Sequence, residues 1–309
     1  MATTSAQRQG PIRLAQYGPS GRSPWLDVDW REHQHWITVA GRQMNVIDVG
    51  SEAQTIVFIH GLAGCWQTWL ENIPAFTETH RVIAMDLPGF GASEMPSERI
   101  SIAGYGRIVA ELLETLEAKG TCVVGNSMGG FIGAELAIQR PDLLERLVLV
   151  SAAGIASQNQ RSETLLGLLG RGENILGFYA GWFATRSEVL SRRPRMRRAM
   201  MLLVTAHPDR LPAPLIAEQV RGSGKPGFVS ALDALSDYPI HDRLEDIECP
   251  TLIVWGTDDR LVPLRDAYEF ERLIGDNASV IVYDDTGHVA MLERPDAFNE
   301  ALERFAADD

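Results

Sequence analysis

The chain has 309 residues, which is enough for one large hydrophobic core with or without a small insertion. Its net charge of −13 argues against nucleic acid as a partner, because phosphate binding requires clustered positive charge. No apolar run approaches the ~20 residues that span a bilayer, and residues 1–16 lack the apolar stretch of a secretory signal. We therefore expect a cytoplasmic protein without an integral membrane segment.

The chain begins with a polar stretch that is followed by a hairpin pattern. Residues 1–30 are rich in Gly, Ser, Pro, Gln and Arg, which predicts a loosely ordered N-terminal arm, anchored by Trp25 and Trp30. Two apolar segments, Trp36–Val39 and Met44–Val49, flank a turn that contains glycine and predict a β-hairpin.

Beyond the hairpin, strand-like and helix-like segments alternate. Such alternation predicts an α/β fold, in which a mostly parallel sheet has helices on both faces. Runs such as Val148–Val150 are apolar throughout, as is typical of strands covered on both faces. The predicted strands lie near 55–59, 81–85, 121–125, 146–151, 251–255 and 279–283. The predicted helices lie near 66–77, 101–118, 128–139, 264–274 and 295–307.

The alternation is interrupted between two parts of the predicted core domain, residues 31–153 and 247–309. The intervening segment, 154–246, is helical in character and broken by Gly and Pro. Both of its ends meet the carboxyl edge of the sheet, where ligands bind in such folds. We interpret it as a helical cap (lid) rather than a separate packing layer, with large apolar residues such as Trp182 and Phe183 as candidates for a substrate pocket.

Five arginines cluster inside this segment: Arg192, Arg193, Arg195, Arg197 and Arg198. They could attract an anionic substrate or a membrane surface, or they could form a solvated helix face with acidic neighbours elsewhere in the fold. We favour the solvated face, because charge runs are usually solvated.

A serine occupies a predicted sharp turn between a strand and a helix. Ser127 lies in Gly125-Asn126-Ser127-Met128-Gly129-Gly130, directly after the strand near 121–125. The glycines let neighbouring backbone approach closely, and the turn exposes the hydroxyl at the carboxyl end of the sheet. The helix N-terminus beneath it favours developing negative charge, so Ser127 is the candidate nucleophile.

A nucleophilic serine needs a base, an acid that orients the base, and donors for an oxyanion. His288 follows the last predicted strand and is the candidate base. Asp258 and Asp259 follow the strand near 251–255, and either could orient the histidine.

The turn His60-Gly61-Leu62-Ala63-Gly64 follows the strand near 55–59. A small, glycine-rich turn can direct a backbone N–H toward the reaction centre. We expect the Leu62 and Met128 N–H groups to form the oxyanion hole. We expect His60 to hold the loop through hydrogen bonds rather than to transfer protons.

These motifs, with Asp86-Leu87-Pro88-Gly89-Phe90-Gly91-Ala92-Ser93 and Thr286-Gly287-His288, resemble the α/β-hydrolase superfamily from about Trp36 to the C-terminus. The resemblance implies an eight-stranded sheet, a helical cap and a catalytic triad in the order Ser, Asp, His. In the family the acid commonly lies three residues before a Val-Pro pair, here Val262-Pro263, which selects Asp259. The serine nucleophile argues against the haloalkane dehalogenases and epoxide hydrolases, which use aspartate there.

The leading hypothesis is therefore a serine hydrolase that cleaves carboxylic esters, with a small-molecule acyl substrate and no cofactor or metal. The segments around Ser127 and Asp259 also resemble carbon–carbon bond hydrolases of the meta-cleavage-product type, although the turn 60–64 is less glycine-rich than theirs. A non-catalytic binding or scaffold protein on the same fold is the third possibility, and the complete set of three catalytic residue types argues against it.

Overall fold

A computed structural model describes residues 16–51, 54–155 and 185–307. Its sheet contains the strands β1 (Gln34–Val39), β2 (Arg42–Val49), β3 (Thr55–Ile59), β4 (Arg81–Met85), β5 (Thr121–Asn126), β6 (Arg146–Val150), β7 (Thr251–Gly256) and β8 (Ala278–Tyr283). These eight strands form a single sheet in the order β1-β2-β4-β3-β5-β6-β7-β8. Strand β2 is antiparallel to both of its neighbours, β1 and β4, and the other neighbouring pairs are parallel.

Helices cover both faces of the sheet. The α-helices outside the segment between β6 and β7 are α1 (Ile73–Phe76), α2 (Ile102–Thr115), α3 (Met128–Gln139), α8 (Arg265–Ile274), α9 (Ala290–Glu293) and α10 (Pro295–Ala307). Between β6 and β7 lie α4 (Ser187–Ser191), α5 (Pro194–Met201), α6 (Ala213–Arg221) and α7 (Phe228–Asp237). We call residues 185–246 the helical insertion.

The prediction of one continuous helix over residues 66–77 is wrong. The chain instead forms a short 3₁₀ helix, Trp66–Trp69, and then the one-turn helix α1. Pro74 lies in the first turn of α1, where its missing N–H costs no hydrogen bond. The same proline could not continue a helix that started at Trp66.

Side chains of the central strands alternate between two cores. Val57 and Ile59 of β3 pack in the core on one face of the sheet, while Ile56 and Phe58 pack in the core on the other face. Each of these four side chains is fully buried. The continuous apolar character of β3 follows, since both faces of the strand are covered.

The part of the N-terminal arm that the structure describes, residues 16–30, contacts the core through Trp25 and Trp30, the residues that the sequence suggested as anchors. Trp25 is buried, and its indole N–H donates to the Glu71 carboxylate at 2.9 Å. Trp30 in turn donates to the Trp25 carbonyl at 3.1 Å. Buried aromatic area at these positions holds the arm against the core. Residues 1–15 lie outside the described part of the chain.

The helical insertion has a small core of its own that includes the arm. Tyr17 packs there with Met201, Leu211, Ile216 and Val220. Residues 156–184, which include the pocket candidates Trp182 and Phe183, lie outside the described residues. Within the described ranges, no helix combines the length and apolar character needed to cross a membrane.

Candidate active site

Ser127 lies in a backbone conformation that is costly for any residue with a side chain. It has φ 55° and ψ −114°, between the end of β5 and the start of α3. Its N–H donates to the Val150 carbonyl at 2.9 Å, which ties the turn to β6. A Cβ at Gly129 would lie 2.1 Å from the Ile59 carbonyl oxygen, so only glycine permits this approach of α3 to β3.

His288 and Asp259 form a buried pair next to this turn. The Nδ1 atom of His288 lies 2.8 Å from Asp259 Oδ2, and the two side chains are 4% and 0% exposed. The other carboxylate oxygen of Asp259 accepts the Leu261 and Val262 N–H groups, each at 2.9 Å. Asp259 is therefore fixed as an acceptor for an Nδ1–H, which leaves Nε2 of His288 free to accept a proton.

Asp258 faces solvent instead. It is exposed, and its carboxylate accepts only from the neighbouring Thr257 hydroxyl at 3.3 Å among the contacts of the described residues. The two adjacent aspartates thus differ in exposure, and the loop directs only Asp259 toward His288.

Asn126 joins the serine turn to the histidine loop. Its side-chain amide donates to the Val150 carbonyl at 3.1 Å and to the His288 carbonyl at 3.2 Å. The residue before the serine therefore contacts the backbone of the histidine directly. Within the described ranges no hydrogen bond joins the Ser127 hydroxyl to His288, and catalytic hydrogen bonds commonly tighten only when substrate is bound.

The turn after β3 packs against the serine. A Cβ at Gly61 would lie 3.1 Å from the Ser127 Cβ atom. The Leu62 N–H donates no hydrogen bond within the described part of the chain. Met128 is the first residue of α3, so its N–H has no acceptor in the helix. Within the described ranges, the N–H groups of Leu62 and Met128 therefore both lack an acceptor and are available to donate to a bound group.

His60 holds this turn in place. One ring nitrogen, Nδ1, donates to the Gly61 carbonyl at 2.7 Å, and Nε2 accepts the Leu87 N–H at 3.0 Å. The ring is fully buried, and burial lowers the pKa of His60. A neutral imidazole with both nitrogens occupied has a structural role rather than a role in proton transfer.

Glu293 binds the backbone of the loop that precedes His288, a contact that was not predicted from the sequence. Its fully buried carboxylate accepts the Gly287 N–H at 3.0 Å, the Ala206 N–H at 2.8 Å and the Tyr17 hydroxyl. Burial raises the pKa of Glu293. The carboxylate therefore joins the loop before His288 to the helical insertion and to the N-terminal arm. The signal in the sequence was a carboxylate directly after the apolar run Ala290–Leu292.

A cavity of about 340 Å³ lies between the turn after β3 and the helical insertion. Within the described residues its lining contains no charged side chain. The lining residues are Gly61, Leu62, Ala63, Gly64, Thr68, Asn126, Ala199, Met200, Met201, Val204, Gln219, Val220, Ser223 and Val289. Such a lining suits an uncharged, largely apolar group.

A second buried carboxylate gives a test of stability against pH. Asp266, in the first turn of α8, is buried, and its Oδ2 has no partner within the described part of the chain. Burial, with a smaller effect from the Asp259 charge, raises the pKa of Asp266 to about 6. The folded protein then retains a proton that the unfolded chain has lost, so this group lowers the free energy of unfolding as pH rises from about 4 to about 6.

We expect Asp266→Asn to remove that pH dependence. Relative to the unchanged protein, the variant should gain about 2 kcal/mol more stability at pH 8 than at pH 4.5. Urea unfolding at the two pH values measures the difference, and Asp276→Asn, at an exposed position, is the matched control. Equal effects of Asp266→Asn at both pH values would show that the group titrates as it does in water.

The sequence model of the α/β-hydrolase fold matches residues 54–295, which is most of the chain. The chain belongs to the α/β-hydrolase family. The predicted superfamily and fold are thereby confirmed, including the mostly parallel eight-stranded sheet with flanking helices.

Several known proteins are similar to this chain over most of its length. A 2-hydroxy-6-oxo-2,4-heptadienoate hydrolase of Pseudomonas putida is 28% identical over 289 residues, which cover 88% of this chain and 96% of that protein. A dihydrolipoyllysine-residue acetyltransferase component of the acetoin cleaving system, also from P. putida, is 28% identical and covers 86% of this chain and 67% of its own length. The crystal structure of a bacterial membrane phospholipase A is 26% identical with a TM-score of 0.68, over 88% of this chain and 84% of that one. The family match and the hydrolytic relatives support a hydrolase of the α/β fold, and the acetyltransferase component is similar to this chain without being named a hydrolase.

Proposed function

We propose that this α/β-hydrolase cleaves carboxylic esters with Ser127 as nucleophile, His288 as base and Asp259 as orienting acid. The observation that carries the proposal is the buried 2.8 Å pair of His288 and Asp259, linked through Asn126 to the strained turn of Ser127. Nucleophilic hydrolysis by a catalytic triad needs a nucleophile, a base and an acid that orients the base, and these three residues supply those groups.

In the proposed mechanism, Nε2 of His288 takes the Ser127 proton as Oγ attacks the ester carbonyl. Asp259 holds the tautomer and stabilises the imidazolium that forms. The Leu62 and Met128 N–H groups hold the tetrahedral oxyanion, and loss of one such donor typically costs about 3 kcal/mol of barrier. His288 then protonates the leaving alcohol, and water, activated by the same histidine, hydrolyses the acyl-enzyme.

Cleavage of a carbon–carbon bond is the second candidate, because one relative is a heptadienoate hydrolase. The substrate that this name implies is an anion. The described lining of the cavity offers no cation to hold it, and the lining favours a neutral acyl chain. We therefore rank ester cleavage first and treat the helical insertion as the cap that shapes the acyl site.

The two chemistries can be separated with purified protein. We expect hydrolysis of p-nitrophenyl esters from acetate to decanoate, and little turnover of a ring-fission dienol ketone. The reverse ranking would assign the protein to carbon–carbon bond hydrolysis. If a fluorophosphonate probe fails to label Ser127 in folded protein, neither enzyme assignment stands, and a binding role on the hydrolase fold is left.

The cavity lining makes a further expectation about chain length. Met200 is partly buried, lines the cavity and lies on α5. Met200→Ala should raise kcat/KM for long acyl chains relative to short ones by about tenfold, because each methylene in an apolar pocket is worth roughly 1–3 kcal/mol. A p-nitrophenyl ester series measures the ratio, with Met95→Ala, an exposed methionine outside the cavity, as the control. One common factor across the series would make this helix a packing layer without influence on selectivity.

A further inference from the structure

The segment around α5 has a charge opposite to that of the whole chain. Residues 186–203 contain six arginines and one acidic residue, Glu188, whereas the net charge of the chain is −13. Glu188 is already paired with Arg221 at 3.2 Å. The segment is therefore a local positive region on an acidic protein.

Four of these arginines have side chains that no described residue contacts through a hydrogen bond or an ion pair. They are Arg192, Arg193, Arg195 and Arg198, and all four are exposed. Arg197 differs, because it donates to the carbonyls of Ser191 and Asp209. The four side chains are exposed, as on a solvated helix face, but no carboxylate of the described residues pairs with them, so contact does not neutralise their positive charge.

Exposed apolar side chains accompany this charge. Leu202 and Leu203, which directly follow α5, are 41% and 38% exposed, and Val189 of α4 is 64% exposed. Water solvates the arginine side chains well, but the exposure of large apolar side chains to water is unfavourable in free energy. Arginine beside exposed leucine is the composition that binds an anionic lipid surface, where headgroups meet the cations and acyl chains meet the apolar groups.

The same helix also borders the cavity. Ala199, Met200 and Met201 of α5 are lining residues, and the carbonyl of Leu202 accepts a hydrogen bond from Arg260 at 2.7 Å. Arg260 adjoins Asp259, so the end of α5 is held against the loop of the candidate acid. A surface bound by α5 would therefore lie beside the candidate acyl site.

We propose that Arg192, Arg193, Arg195 and Arg198, with Leu202 and Leu203, form a docking face for an anionic lipid bilayer. We call this set the basic face. Docking does not require catalysis, so it stands apart from the proposed ester hydrolysis. If both hold, the acyl substrates are drawn from the bilayer to which the protein is bound.

Co-sedimentation with vesicles tests the docking. We expect binding to vesicles of 30% phosphatidylglycerol in phosphatidylcholine and little binding to pure phosphatidylcholine, with the affinity falling as salt rises. Each basic residue near such a surface contributes about fivefold, so replacing the four arginines by glutamine should weaken binding by about a hundredfold or more. Leu202→Ser with Leu203→Ser should weaken the binding that remains at high salt. Hydrolysis of a soluble p-nitrophenyl ester should be unchanged in both variants.

A matched variant separates location from total charge. Arg22, Arg265, Arg272 and Arg304 are exposed elsewhere, at 61–70% of their side-chain area. Replacing these four by glutamine lowers the net charge equally and should leave vesicle binding within about twofold.

The outcomes separate three interpretations. Equal losses of vesicle affinity in the two quadruple variants, or no vesicle binding of the unchanged protein at low salt, would overturn the proposal. A rise in KM confined to anionic soluble esters, without vesicle binding, would assign the basic face to substrate attraction. Ser127→Ala should bind vesicles normally, so failure of the docking and failure of the hydrolase assignment are distinguishable.

Discussion

Ser127→Ala should abolish ester turnover and leave the fold intact. The hydroxyl makes no hydrogen bond within the described part of the chain, so its loss removes little stabilising contact. The proposed acyl-enzyme cannot form without Oγ, and loss of the nucleophile in such triads lowers kcat by about 10⁴ to 10⁶-fold. Initial rates on p-nitrophenyl butyrate and urea unfolding measure the two effects.

Ser151→Ala is the control for this substitution. Ser151 directly follows β6, is fully buried, has a positive φ of 46° and, in the described residues, has a hydroxyl without a partner. It therefore shares burial, a positive φ and the absence of a described hydroxyl partner with Ser127, but it does not directly precede a helix in the described part of the chain. We expect Ser151→Ala to keep turnover within about threefold. Wild-type activity in Ser127→Ala would show that another group attacks the ester.

Asp259→Asn should lower kcat by about 10⁴-fold, whereas Asp258→Asn should change it only a few-fold. The Leu261 and Val262 N–H groups bind one oxygen of residue 259 and would hold the carbonyl oxygen of an asparagine there. The amide NH₂ would then face His288 Nδ1, which must become an acceptor. The hydrogen moves to Nε2, and the imidazole can no longer take the serine proton.

Rates from pH 5 to 9 with both variants check this argument. Asp258→Asn should keep the pH profile of the unchanged protein, since that side chain is exposed and does not contact His288. A severe loss in Asp258→Asn with a mild one in Asp259→Asn would transfer the orienting role to the neighbouring residue. Similar urea midpoints in all three proteins would exclude unfolding as the cause.

Local patterns in the sequence were sufficient to predict where the strands of the sheet begin and end. The alternation of apolar runs with helical segments predicted each strand of the parallel part to within one residue at either end, because strands covered on both faces must be apolar throughout. The helix predicted near 66–77 failed because an apolar window alone does not show where Pro74 requires a new helix to begin.

Some features of the candidate site could likewise be predicted from the sequence, and others could not. The glycines around Ser127 are visible in the sequence, since a tight strand-to-helix turn needs them locally. The difference between Asp258 and Asp259 is one of burial, and the residues alone left both open until the family resemblance selected one. The structure separates them because Leu261 and Val262 direct one carboxylate inward.

Contacts between distant segments were decided by the tertiary structure. Tyr17 reaches Glu293 across 276 positions of sequence, and Asn126 reaches His288 across 162. That no described carboxylate pairs with Arg192 is a fact of the same class, because the sequence shows the charges but not which carboxylates come near them. A residue's own pattern determines its backbone and its tendency to be buried, whereas its partners depend on how separate elements pack around a shared core.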